Sequence, residues 1–158
     1  FRTGLMIGHG TFIRQCIELA TQAVSQGDEP FGALLAVDEQ VRLTARNLVN
    51  TASDPTRHAE LVLASEAYRR FGAETLLQAT LYTSTEPCAM CCGAIYWTHI
   101  PRVVYGCSAT ALSMLTHGSL VIPSRQLFGR GRRPVEVIGP VLEAEALALH
   151  RAYWSDRS

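Results

Sequence analysis

The sequence contains no lysine. All 14 of its basic residues are arginine, and 14 acidic residues balance them, so the formal net charge is zero. A protein dedicated to nucleic acid usually carries a positive surplus, because neutralising phosphates supplies much of its affinity. The balance therefore disfavours a nucleic-acid partner without excluding one. One basic cluster, Arg130, Arg132 and Arg133, lies in a Gly-rich stretch and predicts either a solvated loop or a contact with phosphate or RNA.

Long apolar runs are also missing. The longest, such as 33–37, are far shorter than the about 20 residues that a membrane-spanning helix needs. No charged leader followed by an apolar stretch is visible at the start of the sequence. These absences predict a cytoplasmic protein that does not contact a membrane.

No repeat, low-complexity tract or Pro/Ser-rich linker divides the 158 residues, which predicts a single domain over 1–158. Apolar spacing predicts helices over 11–26, 54–71, 88–97 and 143–153. Asp54 and Pro55 supply an N-cap and a first-turn proline for the second helix, and Gly72 is expected to end it. Strands are predicted over 32–37, 41–48, 79–84, 102–105 and 135–138, and short helical pieces with loop over 110–133.

This order of elements predicts an α/β protein. Strands and helices alternate along most of the chain, which favours one central mixed sheet of about five strands with helices on both faces. The predicted architecture is therefore three-layered, α/β/α.

Three of the five cysteines lie within five residues, a spacing that suits metal binding better than disulfides. Cys88 and Cys91 are three apart at the start of a predicted helix, so their thiols share one face. The positive helix N-terminus favours the thiolate form that metals bind. With His58 from the other helix, they predict one bound Zn²⁺ with a fourth position open, which is typical of catalytic zinc.

Glu60 separates a catalytic zinc site from a structural one. It lies two residues after His58, where it can reach a water at the metal without binding the metal itself. Such a carboxylate can act as general base and general acid. The alternative is a zinc-stabilised interaction module without chemistry.

The two motifs, His58-x-Glu60 and Pro87-Cys88-x-x-Cys91, resemble the signature of the zinc nucleobase deaminases, the cytidine-deaminase-like superfamily. The resemblance extends from about residue 15 to 154. Stretches 30–33, 54–60 and 86–97 look like bacterial guanine deaminases and tRNA adenosine deaminases. The run 93–97, Gly-Ala-Ile-Tyr-Trp, is closer to guanine deaminases, whereas 135–153 looks more like the tRNA enzymes.

The resemblance implies a cytidine-deaminase-like fold and hydrolytic release of ammonia from an amino-substituted heterocycle, with Glu60 as the catalytic residue. A small nucleobase is the expected substrate, first of all guanine, which would give xanthine. The alternatives are a tRNA adenosine deaminase and a deaminase of cytosine or another pyrimidine base. The resemblance also implies a homodimer.

Four further residues are expected at the substrate. Asn47 matches the position of the family's substrate-binding asparagine, whose amide can both donate to and accept from a base edge. Phe31 and Trp97 are predicted pocket neighbours that can stack on a flat ring. Ala59, between the His58 ligand and Glu60, is also predicted to contact the substrate.

Other chemically capable side chains lack a motif. Cys92 is predicted to pack or to lie at an interface, and Cys16 and Cys107 to be small buried residues. His150 is expected to be a surface or structural histidine. Trp154 lies in the last predicted helix, where related enzymes can cap the pocket, but the sequence does not place it.

Overall fold

Helices and strands alternate along most of the chain. The computed structural model describes residues 8–157, so residues 1–7 and 158 of the predicted domain lie outside it. The helices are α1 (His9–Ser25), α2 (Ala59–Leu76), α3 (Ala89–Trp97), α4 (Ala109–Thr116), α5 (Ser124–Phe128) and α6 (Glu143–Trp154). The strands are β1 (Gly32–Val37), β2 (Gln40–Arg46), β3 (Ala79–Thr85), β4 (Arg102–Cys107) and β5 (Glu136–Ile138).

The five strands form one mixed sheet in the order β2-β1-β3-β4-β5. Strand β1 is antiparallel to both of its neighbours, whereas β3, β4 and β5 are parallel. In the centre of the sheet Leu35 lies opposite Leu81, which in turn lies opposite Val103. The prediction of a mixed sheet of about five strands is confirmed.

Helices cover both faces of the sheet, because successive side chains of a strand point to opposite faces. Leu35, Leu81 and Val103 pack against α2, α3 and α5. Their neighbours along the strands, Leu34, Tyr82 and Val104, pack against α1 on the other face. Helix α6 lies on that second side and contacts α4 and β4. The predicted three-layer α/β/α architecture is therefore confirmed.

Helix α2 begins later than the sequence predicts. Asp54 does not cap it; its Oδ1 accepts hydrogen bonds from the backbone N–H and the hydroxyl of Thr56 at 2.9 and 2.7 Å. Arg57 pairs with the same carboxylate at 3.4 Å. Such a local turn competes with a helix for the backbone. The N-cap is instead His58, with φ −70° and ψ 149°, and the helix begins at Ala59.

The regular helix that opens α2 ends at Gly72, as the sequence predicts. Gly72 takes φ 78° and ψ 166°, outside the helical range, so a kink there separates this helix from a shorter one that follows within α2. Glycine adopts such a positive φ without the steric penalty of a Cβ. One more turn then carries Leu76 into the core, where it is fully buried.

Residues 110–133 contain most of α4 and all of α5, joined by irregular chain, as expected from the sequence.

Among residues 8–157, none of the helices combines the length and apolar character that crossing a membrane requires.

Candidate metal centre and pocket

Two helices begin at the same place, and their N-cap residues face each other. His58 caps α2 and Cys88 caps α3, both with extended backbone. Cys91 lies in the first turn of α3. The Nδ1 atom of His58 is 3.5 Å from the Sγ of Cys88 and 3.6 Å from the Sγ of Cys91. All three atoms lie within 4.8 Å of one another.

These three atoms fit a zinc ion. Tetrahedral zinc with ordinary Zn–N and Zn–S bonds places its nitrogen and sulfur ligands about 3.6 Å apart. The two separations in the structure match this value, and one imidazole with two thiols is a donor set that zinc prefers. Three protein ligands leave a fourth position for a small molecule.

The ligand thiols differ in acidity. The hydrogen bond from Cys91 and the contact with His58 lower the pKa of Cys88 to about 4. The hydrogen bond to Cys88 and burial raise the pKa of Cys91. The hydrogen bond to Cys88 raises the pKa of His58. A thiolate is thus stabilised at Cys88, which is the form that binds a metal.

Cys92 takes no part in this cluster, as the sequence predicts. Its side chain packs in the core between α3 and the sheet. Its Sγ contacts the carbonyl oxygen of Pro87 at 3.4 Å. The described cysteines form no disulfide.

Glu60 lies in the same cavity as His58 and Cys88 but outside the ligand cluster. It is the second residue of α2 and is 3% exposed. Burial, followed by the negative charge of Cys88, raises the pKa of its carboxyl to about 7. A carboxyl group with such a pKa can both accept and give up a proton near neutral pH.

The cavity beside the cluster has a volume of about 180 Å³. Besides His58, Cys88 and Glu60, it is lined by Phe31, Thr85 and Glu86 and by residues of α4 and of the segment 118–122. This segment and α4 therefore form one wall of the cavity.

Glu86 fixes that wall, a role that the sequence did not reveal. Its carboxylate accepts the backbone N–H of Ala109 at 2.9 Å and, at 2.7 and 2.6 Å, the N–H and hydroxyl of Ser124. One buried carboxylate thereby holds the starts of α4 and α5. A charged residue directly before Pro87 is visible in the sequence, but the hydrogen-bond partners of Glu86 lie 23 and 38 residues away and could not be predicted from it.

Phe31 lies at the cavity as its predicted role requires. Its ring is nearly parallel to the ring of His58, with 5° between the planes and 6.5 Å between the centroids. It also packs on the ring of His150, at 5.0 Å. Contact with a substrate remains a prediction for this residue.

Asn47 is buried, and its amide is already engaged. Its Oδ1 accepts the backbone N–H groups of Glu29 and Val49 at 3.3 and 3.0 Å. Glu29 lies close enough to His58 for each to affect the pKa of the other. Asn47 is therefore near the cluster but not among the residues lining the cavity, and its substrate contact also stays a prediction.

Ala59 and Trp97 do not line the cavity. Ala59 has no exposed surface, because its side chain packs in the core beneath the first turn of α2. Trp97 is 76% exposed and lines a shallow groove with Tyr68 and Ala94. Helix α3 carries it about 13 Å from Cys88, at 1.5 Å per residue. The monomer therefore does not support the predicted role of either residue in the pocket.

Helix α6 brings a buried histidine to the cavity. His150 is 1% exposed, and its Nε2 is 2.8 Å from the hydroxyl of Thr85. The indole N–H of Trp154 donates to its Nδ1 at 3.1 Å. Burial lowers the pKa of His150 to about 4. His150 is thus structural, as one of its two sequence interpretations stated, but its contact with the cavity residue Thr85 was missed.

The arginine cluster is divided between two environments. Arg133 lies 4.7 Å over the ring of Tyr96 and donates to the carbonyl oxygens of Tyr96 and Ile100. Arg130 and Arg132 have exposed side chains. Arg133 therefore anchors its loop to α3, and a contact with phosphate or RNA remains a prediction for the other two.

Comparison with known proteins agrees with the fold and the ligand cluster. Residues 6–107 match the model of the family described as the cytidine and deoxycytidylate deaminase zinc-binding region. The chain is 41% identical to a probable cytosine deaminase of Schizosaccharomyces pombe, with 90% of each chain covered. It is 40% identical to the guanine deaminase of Bacillus subtilis, over 66% of this chain and 67% of that one.

Two further comparisons concern a tRNA enzyme and a solved structure. The tRNA-specific adenosine deaminase of Bacillus subtilis is 30% identical, over 92% of this chain and 88% of that one. The structure of a guanine deaminase from Nitrosomonas europaea superposes with a TM-score of 0.80 at 21% identity, covering 96% and 87% of the two chains. At 21% identity, the likeness to the Nitrosomonas europaea structure shows the fold alone.

The fold and the His-Cys-Cys cluster define a zinc-dependent deaminase, a hydrolase that acts on C–N bonds of cyclic amidines. The chain belongs to the cytidine and deoxycytidylate deaminase zinc-binding family. Its relatives include cytosine, guanine and tRNA adenosine deaminases, so family membership alone leaves the substrate open.

Replacement of one ligand thiol should remove the metal. We expect Cys91→Ser to reduce zinc from about one ion per chain to less than about a tenth, because the ligand set loses a thiolate. Zinc content by elemental analysis measures this. Cys92→Ser is the matched control, since Cys92 faces the core, and should keep full zinc. Equal zinc in the two variants would contradict the ligand assignment.

His150 should make stability depend on pH. Its pKa of about 4 in the folded protein lies below the ordinary value of 6.5, so the unfolded chain takes up a proton first as the pH falls. This contribution is complete above about pH 6.5 and is lost towards pH 4. Between pH 7.5 and 5 it amounts to about 2 kcal/mol of unfolding free energy. Urea unfolding of His150→Gln should show a correspondingly smaller pH dependence; an identical dependence would refute the assignment.

Proposed function

We propose that this protein releases ammonia from a free nucleobase. The observation that carries the proposal is Glu60, a buried carboxyl group whose pKa is raised to about 7, in the cavity beside the three-ligand cluster. A purely structural zinc site is normally closed by four protein ligands and does not require a neighbouring group that transfers protons. Glu60 therefore supports a catalytic site.

The chemistry divides between the metal and Glu60. When bound, zinc supplies a Lewis acid that lowers the pKa of a water molecule. Glu60 takes a proton from that water and gives it to the ring nitrogen next to the amine-bearing carbon. The oxygen adds to that carbon, and Glu60 then carries the second proton to the departing amine. The products are one ammonia and a ring with a carbonyl group in place of the amine.

The size of the cavity favours a free base. Its volume of about 180 Å³ is below the roughly 300–1,000 Å³ of pockets that enclose drug-sized ligands. A nucleoside would add a ribose, and an anticodon loop would add neighbouring nucleotides. The zero net charge also provides no general attraction for RNA. The two exposed arginines, Arg130 and Arg132, are the feature that favours the tRNA alternative.

We place cytosine first and guanine second among the free bases. The sequence motifs alone favour guanine through the run 93–97. The similarity to the probable cytosine deaminase, however, extends over 90% of both chains, whereas that to the guanine deaminase of Bacillus subtilis covers about two thirds. A single-ring base also suits the small cavity.

Ammonia release from a panel of amines tests this proposal. The zinc-loaded protein is given cytosine, guanine, adenine, their nucleosides, an aminotriazine and an anticodon stem-loop. We expect kcat/KM for one free base to exceed that for its nucleoside by at least about a hundredfold, which corresponds to about 3 kcal/mol. Deamination of the stem-loop with strongly salt-dependent binding, and none of the free bases, would favour the tRNA alternative instead.

Glu60→Gln tests the proton carrier in the same assay. The amide cannot transfer the protons, so kcat should fall by about 10²–10⁴-fold while zinc content stays unchanged. Glu66→Gln is the matched control: Glu66 lies on the same helix but pairs with Arg69 and Arg70 at the surface. If Glu60→Gln kept full activity with zinc bound, Glu60 would not be the proton carrier; a wild type that holds zinc but releases no ammonia from any of these amines would favour a zinc-stabilised module without chemistry.

We also propose that the protein forms a homodimer through the groove lined by Tyr68, Ala94 and Trp97. Tyr68 and Trp97 are 44% and 76% exposed, and large exposed apolar patches commonly mark interfaces. Light scattering should give twice the mass of one chain for the wild type and one chain for Trp97→Glu. Leu77→Glu, at another exposed apolar site, should stay dimeric. A monomeric wild type would refute the proposal.

A further inference from the structure

The indole of Trp154 determines which nitrogen of His150 carries the proton. An indole N–H can only donate, and it donates to Nδ1 at 3.1 Å. The Nδ1 atom is therefore an unprotonated acceptor. Burial keeps the imidazole neutral by lowering its pKa to about 4, so its one proton lies on Nε2. The Nε2–H group must then donate to the hydroxyl oxygen of Thr85, 2.8 Å away.

A second donor reaches the same oxygen. The thiol of Cys107 contacts the Thr85 hydroxyl at 3.5 Å. Burial raises the pKa of Cys107 to about 11, so it remains a thiol with a hydrogen to donate. A hydroxyl oxygen accepts two hydrogen bonds and donates one. His150 and Cys107 fill both acceptor positions.

The hydrogen of the Thr85 hydroxyl is still available for donation. Among residues 8–157, no side chain or backbone oxygen accepts it within hydrogen-bond distance. Thr85 lines the cavity together with Glu60 and Cys88. The group that this hydrogen can reach is therefore an acceptor on a molecule in the cavity.

We propose that Trp154 and His150 are positioning residues that turn the Thr85 hydroxyl into a hydrogen-bond donor for a ring carbonyl oxygen of the substrate. This inference rests on the proposed function and names the feature of the base that the site selects. Thr85 is a specificity-determining residue in this arrangement, because it is the member that contacts the substrate.

The carbonyl oxygen follows from the chemistry of the reaction. Glu60 protonates the ring nitrogen beside the reacting carbon, so that nitrogen is not an acceptor for Thr85. In cytosine the acceptor that remains is the carbonyl oxygen, and guanine also carries one. Adenine carries none. The arrangement therefore favours amino-oxo rings over rings that carry only an amine.

Variants of Thr85 test the donor with matched pairs of ligands. Cytosine is compared with 4-aminopyrimidine, and guanine with 2-aminopurine, each analogue lacking the ring carbonyl. Affinity is measured by calorimetry in the Glu60→Gln background, and kcat/KM in the otherwise unchanged enzyme. Thr85→Val removes the hydroxyl and keeps the shape, and should weaken the carbonyl-bearing base about tenfold but not its analogue. Thr85→Ser should restore most of the loss.

Trp154→Phe tests whether the indole N–H fixes the tautomer of His150. Nitrogen-15 NMR of the wild type should show His150 protonated at Nε2 alone. Without the indole N–H, the Nδ1-protonated form should become populated, and the affinity for the carbonyl-bearing base should fall by at least about threefold, with kcat less affected than KM. Tyr153→Phe, on the same helix, is the control and should change neither the tautomer nor the affinity.

The outcomes separate this inference from the proposed function. A wild type that deaminates no free base would refute the proposed function. The affinity of each base relative to its analogue, and the tautomer of His150, would still show whether the Thr85 hydroxyl donates to a ring carbonyl. A wild-type His150 protonated at Nδ1 would overturn the inference whatever the enzyme deaminates. Thr85→Val that weakens a base and its analogue equally, or neither, would also overturn it.

Discussion

The structure depends on two helices that begin at one point. Because His58 and Cys88 are the N-caps of α2 and α3, their extended backbones hold the imidazole and the thiol over the helix starts, within 3.5 Å of each other. The positive ends of both helices stabilise negative charge there. The packing of Leu63 and Ile95 in the core beneath the helices fixes the spacing. At this point the hydrogen bond from Cys91 lowers the pKa of Cys88, whereas burial and the negative charge of Cys88 raise the pKa of Glu60.

Features encoded by short-range patterns could be predicted from the sequence. The alternation of strands and helices along the chain predicts a sheet covered on both faces, and β1, β3 and β4 are indeed buried along nearly their whole length. The spacing of Cys88 and Cys91 predicts a shared helical face. The start of α2 could not be predicted in the same way, because Asp54 prefers a local turn with Thr56 to capping a helix. A cap signal in the sequence does not say which of two local hydrogen-bond patterns forms.

Contacts between distant segments were not accessible to such patterns. His150 and Trp154 are four residues apart, a spacing visible in the sequence, but Thr85 lies 65 residues from His150. Trp97 belongs to the motif of α3, yet the length of that helix removes it from the cavity. A sequence motif predicts which side chains lie near each other on one helix. It does not predict which distant segments of the chain the sheet brings together around the cavity.

Two buried glutamates beside the cavity differ in their surroundings and therefore in what their carboxyl groups can do. Glu86 accepts three hydrogen bonds from the starts of α4 and α5 and is therefore a fixed support for the cavity wall. Glu60 lies next to a thiolate in a buried position, which raises its pKa and keeps its proton exchangeable. The zinc ligands and Glu60 come from α2 and α3, whereas α4, α5 and α6 supply or support the surrounding surface. The metal ligands and the cavity wall thus lie on different elements of the fold, joined by Glu86, whose carboxylate links the segment before α3 to the starts of α4 and α5.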